Sequence, residues 1–228
     1  MNNEIIAFLP CRKGSERVKA KNTRPFAGIE GGLTQIKITQ LLECALIDRI
    51  VVSTDDPEVA AICRAAAQKA PKPVEIVARP SELAASNTST DDVVRYVPSV
   101  IPSGTVLWTH VTSPFVTAEI YEAAIQDYRQ HSATHDSLMS VTKLQKFLWN
   151  EAGPVNYDKK QQKWPNTQTL PALYEINSAI FIAPLDVYRQ HDDRIGPKPR
   201  LFELSGHHVL DIDWMEDFIL AEKLWGCR

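Results

Sequence analysis

The stretch CRKGSERVKAKNTR carries six cations, Arg12, Lys13, Arg17, Lys19, Lys21 and Arg24, against one acid, Glu16. The whole chain is mildly acidic, with 25 Lys and Arg, 28 Asp and Glu and a net charge of −3. The positive charge is therefore local, which points to a small anionic ligand and away from nucleic acid. A glycine and a serine sit among the cations. Gly14 lets the backbone approach a ligand closely, and Ser15 and nearby amides can donate to phosphate oxygens. Arg12 can grip an oxyanion with two parallel hydrogen bonds, while Lys19 and Lys21 act as point charges. Near the other end, DID places Asp211 and Asp213 one residue apart. On a strand this spacing turns both carboxylates to one side. Mg²⁺ takes one or two carboxylates together with phosphates and water, so the pair suits that ion. The competing reading makes Asp213 the N-cap of the last helix.

These residues need a scaffold. EIIAFLP, RIVVST (49–54), VEIVA (74–78), TVLWTHV (105–111), DSLMSVTK (136–143) and SAIFIAP (178–184) read as buried strands. HHVLDID (207–213) carries the two acids to an expected strand end. Helices are expected after Asp55 or Asp56 with Pro57 in the first turn, after Ser89 or Thr90, after Thr117, over LDVYRQH, and over WMEDFILAEKLWG. Strands alternating with helices predict an α/β fold: three layers, Rossmann-like, with a mostly parallel sheet and helices on both faces. In such sheets ligands sit beyond the carboxyl ends of the strands. The basic loop, STDD, THVTSP and DID all fall there.

Residues 144–177 break the alternation, being polar with three prolines and scattered aromatics. A segment of that length suggests a functional lid or an interaction arm, with Phe147, Trp149, Tyr157 and Trp164 as anchors. The expectation is one domain over 1–228 with an extension at about 144–177. The four cysteines at 11, 44, 63 and 227 form no CxxC pair. With no signal-peptide pattern and no membrane-spanning stretch, they fit reduced thiols in a cytoplasm.

The basic loop has neither GxxxxGK[ST] nor GxGxxG, which excludes the ATP-type P-loop and the dinucleotide fingerprint. LPCRKGSERVKAKNTRPFAG instead resembles the opening signature of the acylneuraminate (CMP-sialic acid synthetase-like) cytidylyltransferases, with Arg12, Ser15, Lys21, Asn22 and Gly28 in the matching places. The likeness continues through VVSTDDPEVAAIC, RPSELA, VTSPF (family PTSPL), NSAIF (NGAIY) and DIDWMEDFILAE (DIDTPEDLxxAE), in order over nearly the whole chain.

The resemblance implies a nucleotidyltransferase-type fold with a dimerisation extension. It also implies Mg²⁺-dependent transfer of CMP from CTP to the anomeric hydroxyl of an acidic α-keto sugar, with release of pyrophosphate. Arg12, Ser15 and Lys21 would hold the triphosphate and offset its developing charge. Asp211 and Asp213 would hold Mg²⁺, and either a metal-bound hydroxyl or Asp211 would take the sugar's proton. Asn22, Arg79, Asn87 and Thr90 would contact the nucleotide. His110 would face the sugar, with Lys143, Lys146 and Gln168 as candidates for its carboxylate. Departures gather on the sugar side. His110 replaces a Gln, Val116 an Arg, and Thr167-Gln168 an Arg-Gln, while Ser86 replaces an Asp. Nonulosonates other than N-acetylneuraminate, and octulosonates, are therefore open as substrates.

Overall fold

The protein is described by a computed structural model covering residues 4–227. Its elements run β1 (Ile5–Pro10), α1 (Gly32–Glu43), β2 (Arg49–Thr54), α2 (Pro57–Ala67), β3 (Val74–Ala78), α3 (Thr90–Val100), β4 (Thr105–Trp108) and α4 (Ala118–His131). Then follow β5 (Ser137–Leu144), β6 (Trp149–Asn150), β7 (Gly153–Pro154), β8 (Leu173–Pro184), α5 (Leu185–His191), β9 (Pro199–Leu204) and α6 (Met215–Trp225).

Seven strands form one sheet in the order β3-β2-β1-β4-β8-β5-β9. β1, β2, β3 and β4 run parallel, as do β5 and β9, whereas β8 is antiparallel to both of its neighbours. The alternation of β1 explains the layers. Ile5, Ala7 and Leu9 belong to one core, shared with α1, α2, α4 and α6. Ile6 and Phe8 belong to the other, shared with α3 and α5. A strand buried on both faces must be apolar throughout, which is why IIAFL reads as a continuous run. The chain leaves β1 toward β2 and β3, then returns to the other side of β1 for β4. The carboxyl ends of β1 and β4 therefore flank the point where the winding direction switches.

Three expectations are corrected. HHVLDID is not a strand: Gly206–Val209 makes a 3₁₀ turn, and the last sheet strand is β9, just before it. The helix α1 falls where no element was expected. The segment 144–177 is not wholly an arm, because β8 begins at Leu173 and pairs with β5 as far as Leu144. The insertion is thus about 145–172, containing the small β6–β7 ladder. Its aromatics pack on one another: Phe147 lies edge-on to Tyr157 at 5.3 Å and to Trp164 at 5.6 Å. Trp149 Nε1 donates to the Tyr157 hydroxyl at 2.9 Å.

Candidate active site

The chain after β1 turns on Gly14, whose φ of +81° favours glycine. Neighbours fix the loop through its backbone. Lys13 N donates to Asp55 Oδ1 at 2.7 Å, and Asn22 Nδ2 donates to the Arg12 carbonyl at 3.1 Å. The Asn22 carbonyl accepts from the Thr34 hydroxyl of α1 at 2.8 Å. Asp55 therefore anchors the loop, and Asp56 caps α2 by accepting from Glu58 N at 3.0 Å. The Arg12 guanidinium folds over the turn, donating to the Gly14 carbonyl at 2.8 Å.

Lys21 points the opposite way, inward. It is only 8% exposed, and its Nζ donates to the Ile212 carbonyl at 2.6 Å. The same ammonium lies 3.6 Å from Asp213 Oδ1, and Arg17 pairs with that oxygen at 3.1 Å. Burial lowers the Lys21 pKa, while Asp213 and Asp211 act to raise it. Ile212 N donates to the Thr112 carbonyl at 2.9 Å, so the acid segment is held between the loops after β1 and β4. The acids stand on backbone outside any strand, between the last 3₁₀ turn and α6. Asp213 is no helix cap: it is ion-paired, and Asp217 accepts from the amides of Asp213 and Trp214 at 3.0 and 2.7 Å. Burial pushes the Asp211 carboxyl up, against the pull of a hydrogen bond from Thr112, and Asp213 pushes it further. Asp211 Oδ1 is buried with no hydrogen-bond partner among the described residues. A buried, unpartnered carboxylate oxygen is costly unless a ligand completes it. An oxygen-seeking cation such as Mg²⁺ would do so at Asp211, whereas Asp213 is paired with Arg17 and Lys21.

Between these walls lies a cavity of about 360 Å³. Arg12, Ser15, Lys21 and Asn22 line it from the β1 side and His110 and Thr112 from the β4 side, at the winding switch. Polar, and lined by Arg12, Arg17 and Lys21 against the one acid Glu16, it suits a polyphosphate.

The cytidylyltransferase family pattern matches residues 6–217, nearly the whole chain and every residue of this site. The chain belongs to the cytidylyltransferase family. It is a nucleotidyltransferase that uses CTP. This cytidylyltransferase is 25% identical to the pseudaminic acid cytidylyltransferase of Campylobacter jejuni (serotype O:2), over 96% of the chain and 95% of the relative. It is 28% identical to the CMP-N,N'-diacetyllegionaminic acid synthase of Legionella pneumophila, over 96% and 95%. Against the N-acylneuraminate cytidylyltransferase of Escherichia coli the identity is 25% over 97% of the chain, which spans 52% of that longer protein. Among solved structures, the CMP:2-keto-3-deoxy-manno-octonic acid synthetase complexed with CTP superposes with a TM-score of 0.68 at 16% identity, over 98% of this chain and 99% of that one.

In this cytidylyltransferase the remaining expected residues are spread more widely. Arg79 is buried behind the loop, with its Nε unpartnered among the described residues. Burial lowers its pKa, opposed by Asp55. Asn87 and Thr90 are exposed, and neither lines the cavity. Ser89, not Thr90, caps α3, its hydroxyl accepting from Asp92 N at 3.1 Å. Gln168 sits in the insertion, its carbonyl accepting from Gln145 Nε2 at 2.9 Å, and is not among the cavity residues. Lys143 and Lys146 are exposed. Arg17, Ser86 and Thr112 also line the cavity, and none was expected as a site residue, Ser86 standing only as a departure from the family pattern. Arg17 stood in view as one of six cations, but only its partner Asp213, about two hundred residues later, singles it out.

Proposed function

We propose that this enzyme transfers CMP from CTP to the anomeric hydroxyl of an acidic α-keto sugar of the nonulosonate class, giving a CMP-sugar and pyrophosphate with Mg²⁺ as cofactor. The observation that carries the reading is the buried tie between Lys21 and the DID segment. It joins a triphosphate-type loop to a carboxylate pair beside one cavity. The named relatives act on pseudaminic, legionaminic and N-acylneuraminic acids, which supports an acid sugar as acceptor. Arg12, Ser15 and Asn22 are assigned to the triphosphate, with Lys21 offsetting charge on the departing pyrophosphate. Asp211 and Asp213 are assigned to hold Mg²⁺, which when bound would supply positive charge to offset that of the phosphates. Arg79, Asn87 and Thr90 are assigned to the nucleoside, and His110 and Gln168 to the sugar. In the same proposal the chain is one cytoplasmic domain, and the 145–172 insertion carries a homodimer contact through its exposed Trp149 and Trp164.

The test is pyrophosphate release with CTP over a panel of acid sugars, with and without a chelator. Turnover with a nonulosonate that a chelator stops supports the proposal. Preference for an octulosonate would favour the second reading, for which the octonic acid synthetase likeness speaks. CTP hydrolysis or silence with every acid sugar would defeat both.

A further inference from the structure

His110 lies two residues past β4 at the cavity wall, where the sugar is placed by the proposed activity. Its ring is surrounded in an informative way. Trp108 Nε1 donates to His110 Nε2 at 2.9 Å, and Arg194 Nη1 lies 3.5 Å from the same nitrogen. Indole N–H and guanidinium N–H are donors only. A nitrogen approached by two such donors must present a lone pair. In a neutral imidazole the single proton then belongs on the other nitrogen, Nδ1. No described residue is recorded as a partner of Nδ1.

Arg194 is itself held in an unusual place. Its guanidinium lies 3.7 Å from the Phe181 ring centroid and 5.0 Å from that of Trp108. These stacks fix the cation against the α3–α5 side of the sheet, and no acid closes an ion pair with it among the described residues. Burial lowers the Arg194 pKa, countered by Tyr188 and Asp193. Arg194 is the charged group in contact with His110, and Lys37 of α1 and Lys21 of the basic loop add further positive field at the ring. With burial they bring the imidazole down to about 3, in agreement with the geometry.

We infer that His110 is a fixed neutral hydrogen-bond donor, its proton locked on Nδ1 by Trp108 and Arg194, and that it reads an oxygen acceptor on the sugar. It is therefore neither the proton acceptor of the reaction nor a pH switch. Arg194 acts through it, as a positioning residue. The cationic surroundings favour an anionic acceptor, so a carboxylate oxygen is the group that fits. The donor assignment stands on the structure alone, whereas the sugar role rests on the proposed activity.

The experiment is a two-bond ¹H–¹⁵N correlation of the imidazoles in the free, full-length protein, assigned with His110→Gln. The expected result is a bare Nε2 and a protonated Nδ1 on His110, unchanged from about pH 5 to 8. A proton on Nε2, or titration inside that range, overturns the inference. In Arg194→Met, which keeps the packing on Phe181, His110 is expected to titrate closer to 6.5; no change would remove Arg194 from the account. With a sugar that is turned over, His110→Leu should raise the sugar KM about tenfold, the worth of one hydrogen bond, while the CTP KM stays put. His110→Gln, which restores an N–H donor, should recover most of that loss. Equal defects in both variants would overturn the donor role. Failure to turn over any acid sugar would instead defeat the proposed activity, leaving the proton's location to be read directly.

Discussion

The basic loop after β1 and the insertion at 145–172 are built differently. The basic loop is held from within: Lys21 is buried, its ammonium is bonded to the Ile212 carbonyl, and the loop backbone is tied to Asp55, Asn22 and Thr34. The insertion, none of whose residues line the cavity, is looser: its aromatics stack on each other, leaving Trp164 71% exposed. The contrast separates what every member of such an enzyme class must do from what each does for itself. Gripping a triphosphate needs fixed charges at set positions, since misplaced charge forfeits stabilisation of the leaving group. Choosing an acceptor needs a surface that can be altered without disturbing that grip. Of the departures from the family pattern, His110 lines the cavity, Val116 is buried in the core and Thr167 lies in the insertion.

The comparison can be broken most severely at Asp211. Asp211→Asn should lower kcat by about 10³-fold while circular dichroism and Tm stay near wild type. Activity within tenfold of wild type would remove the metal assignment. Lys21→Ala should come next, cutting kcat/KM for CTP by about 10²-fold, and here some stability should go as well because Asp213 loses its buried partner. An unchanged CTP KM and kcat would mean that the ammonium serves only the fold. In the insertion, Phe147→Ala should loosen the segment, measured as faster proteolytic cleavage between about residues 145 and 172, with little change in Tm. If Tm fell with cleavage unchanged, the basic loop and the insertion would be one cooperative unit.

A smaller effect concerns acid. His110 is neutral in the folded protein and ordinary when unfolded. Below 6.5 the unfolded state therefore binds a proton that the folded state refuses until about 3. Stability should be fully present above 6.5 and fall as the pH drops toward 3. His110→Gln should flatten this limb in urea titrations at several pH values; a parallel fall in the variant would assign the acid sensitivity elsewhere. The smallest change expected is at Ser178, which holds φ at +58° beside the irregular β5–β8 pairing. Ser178→Gly should raise stability by roughly 1 kcal/mol, read as a higher urea midpoint at unchanged slope.

The central sheet was legible because strands buried on both faces carry unbroken apolar runs, as in IIAFL and IVVS. The helix α1 was not legible for the opposite reason. Its inner face includes Thr34, Lys37 and Gln40, all buried and all bonded to loop carbonyls at Asn22, Ser113, Val116 and Pro114. Their types suggest solvent, whereas their partners are backbone oxygens far away in the chain. β9 hid in PRLFEL, a mixed edge strand opened by a proline. The first half of β8, LYEIN, is exposed along a hairpin and so shows no core pattern. In the site, the cations and the two acids announced themselves by type and spacing. Arg194 did not, since HDDRIGPKPR has no periodicity, and only the rings of Phe181 and Trp108 give that arginine a place.

The bond from Lys21 to Ile212 spans 191 residues of chain. A contact with that separation forms only after a large loop has closed, and such closures are slow relative to helix and hairpin formation. The nucleotide site is therefore a late product of folding. During refolding, helical circular dichroism should recover before the ability to bind CTP does, and bound CTP would count only those molecules in which the two ends of the chain have met.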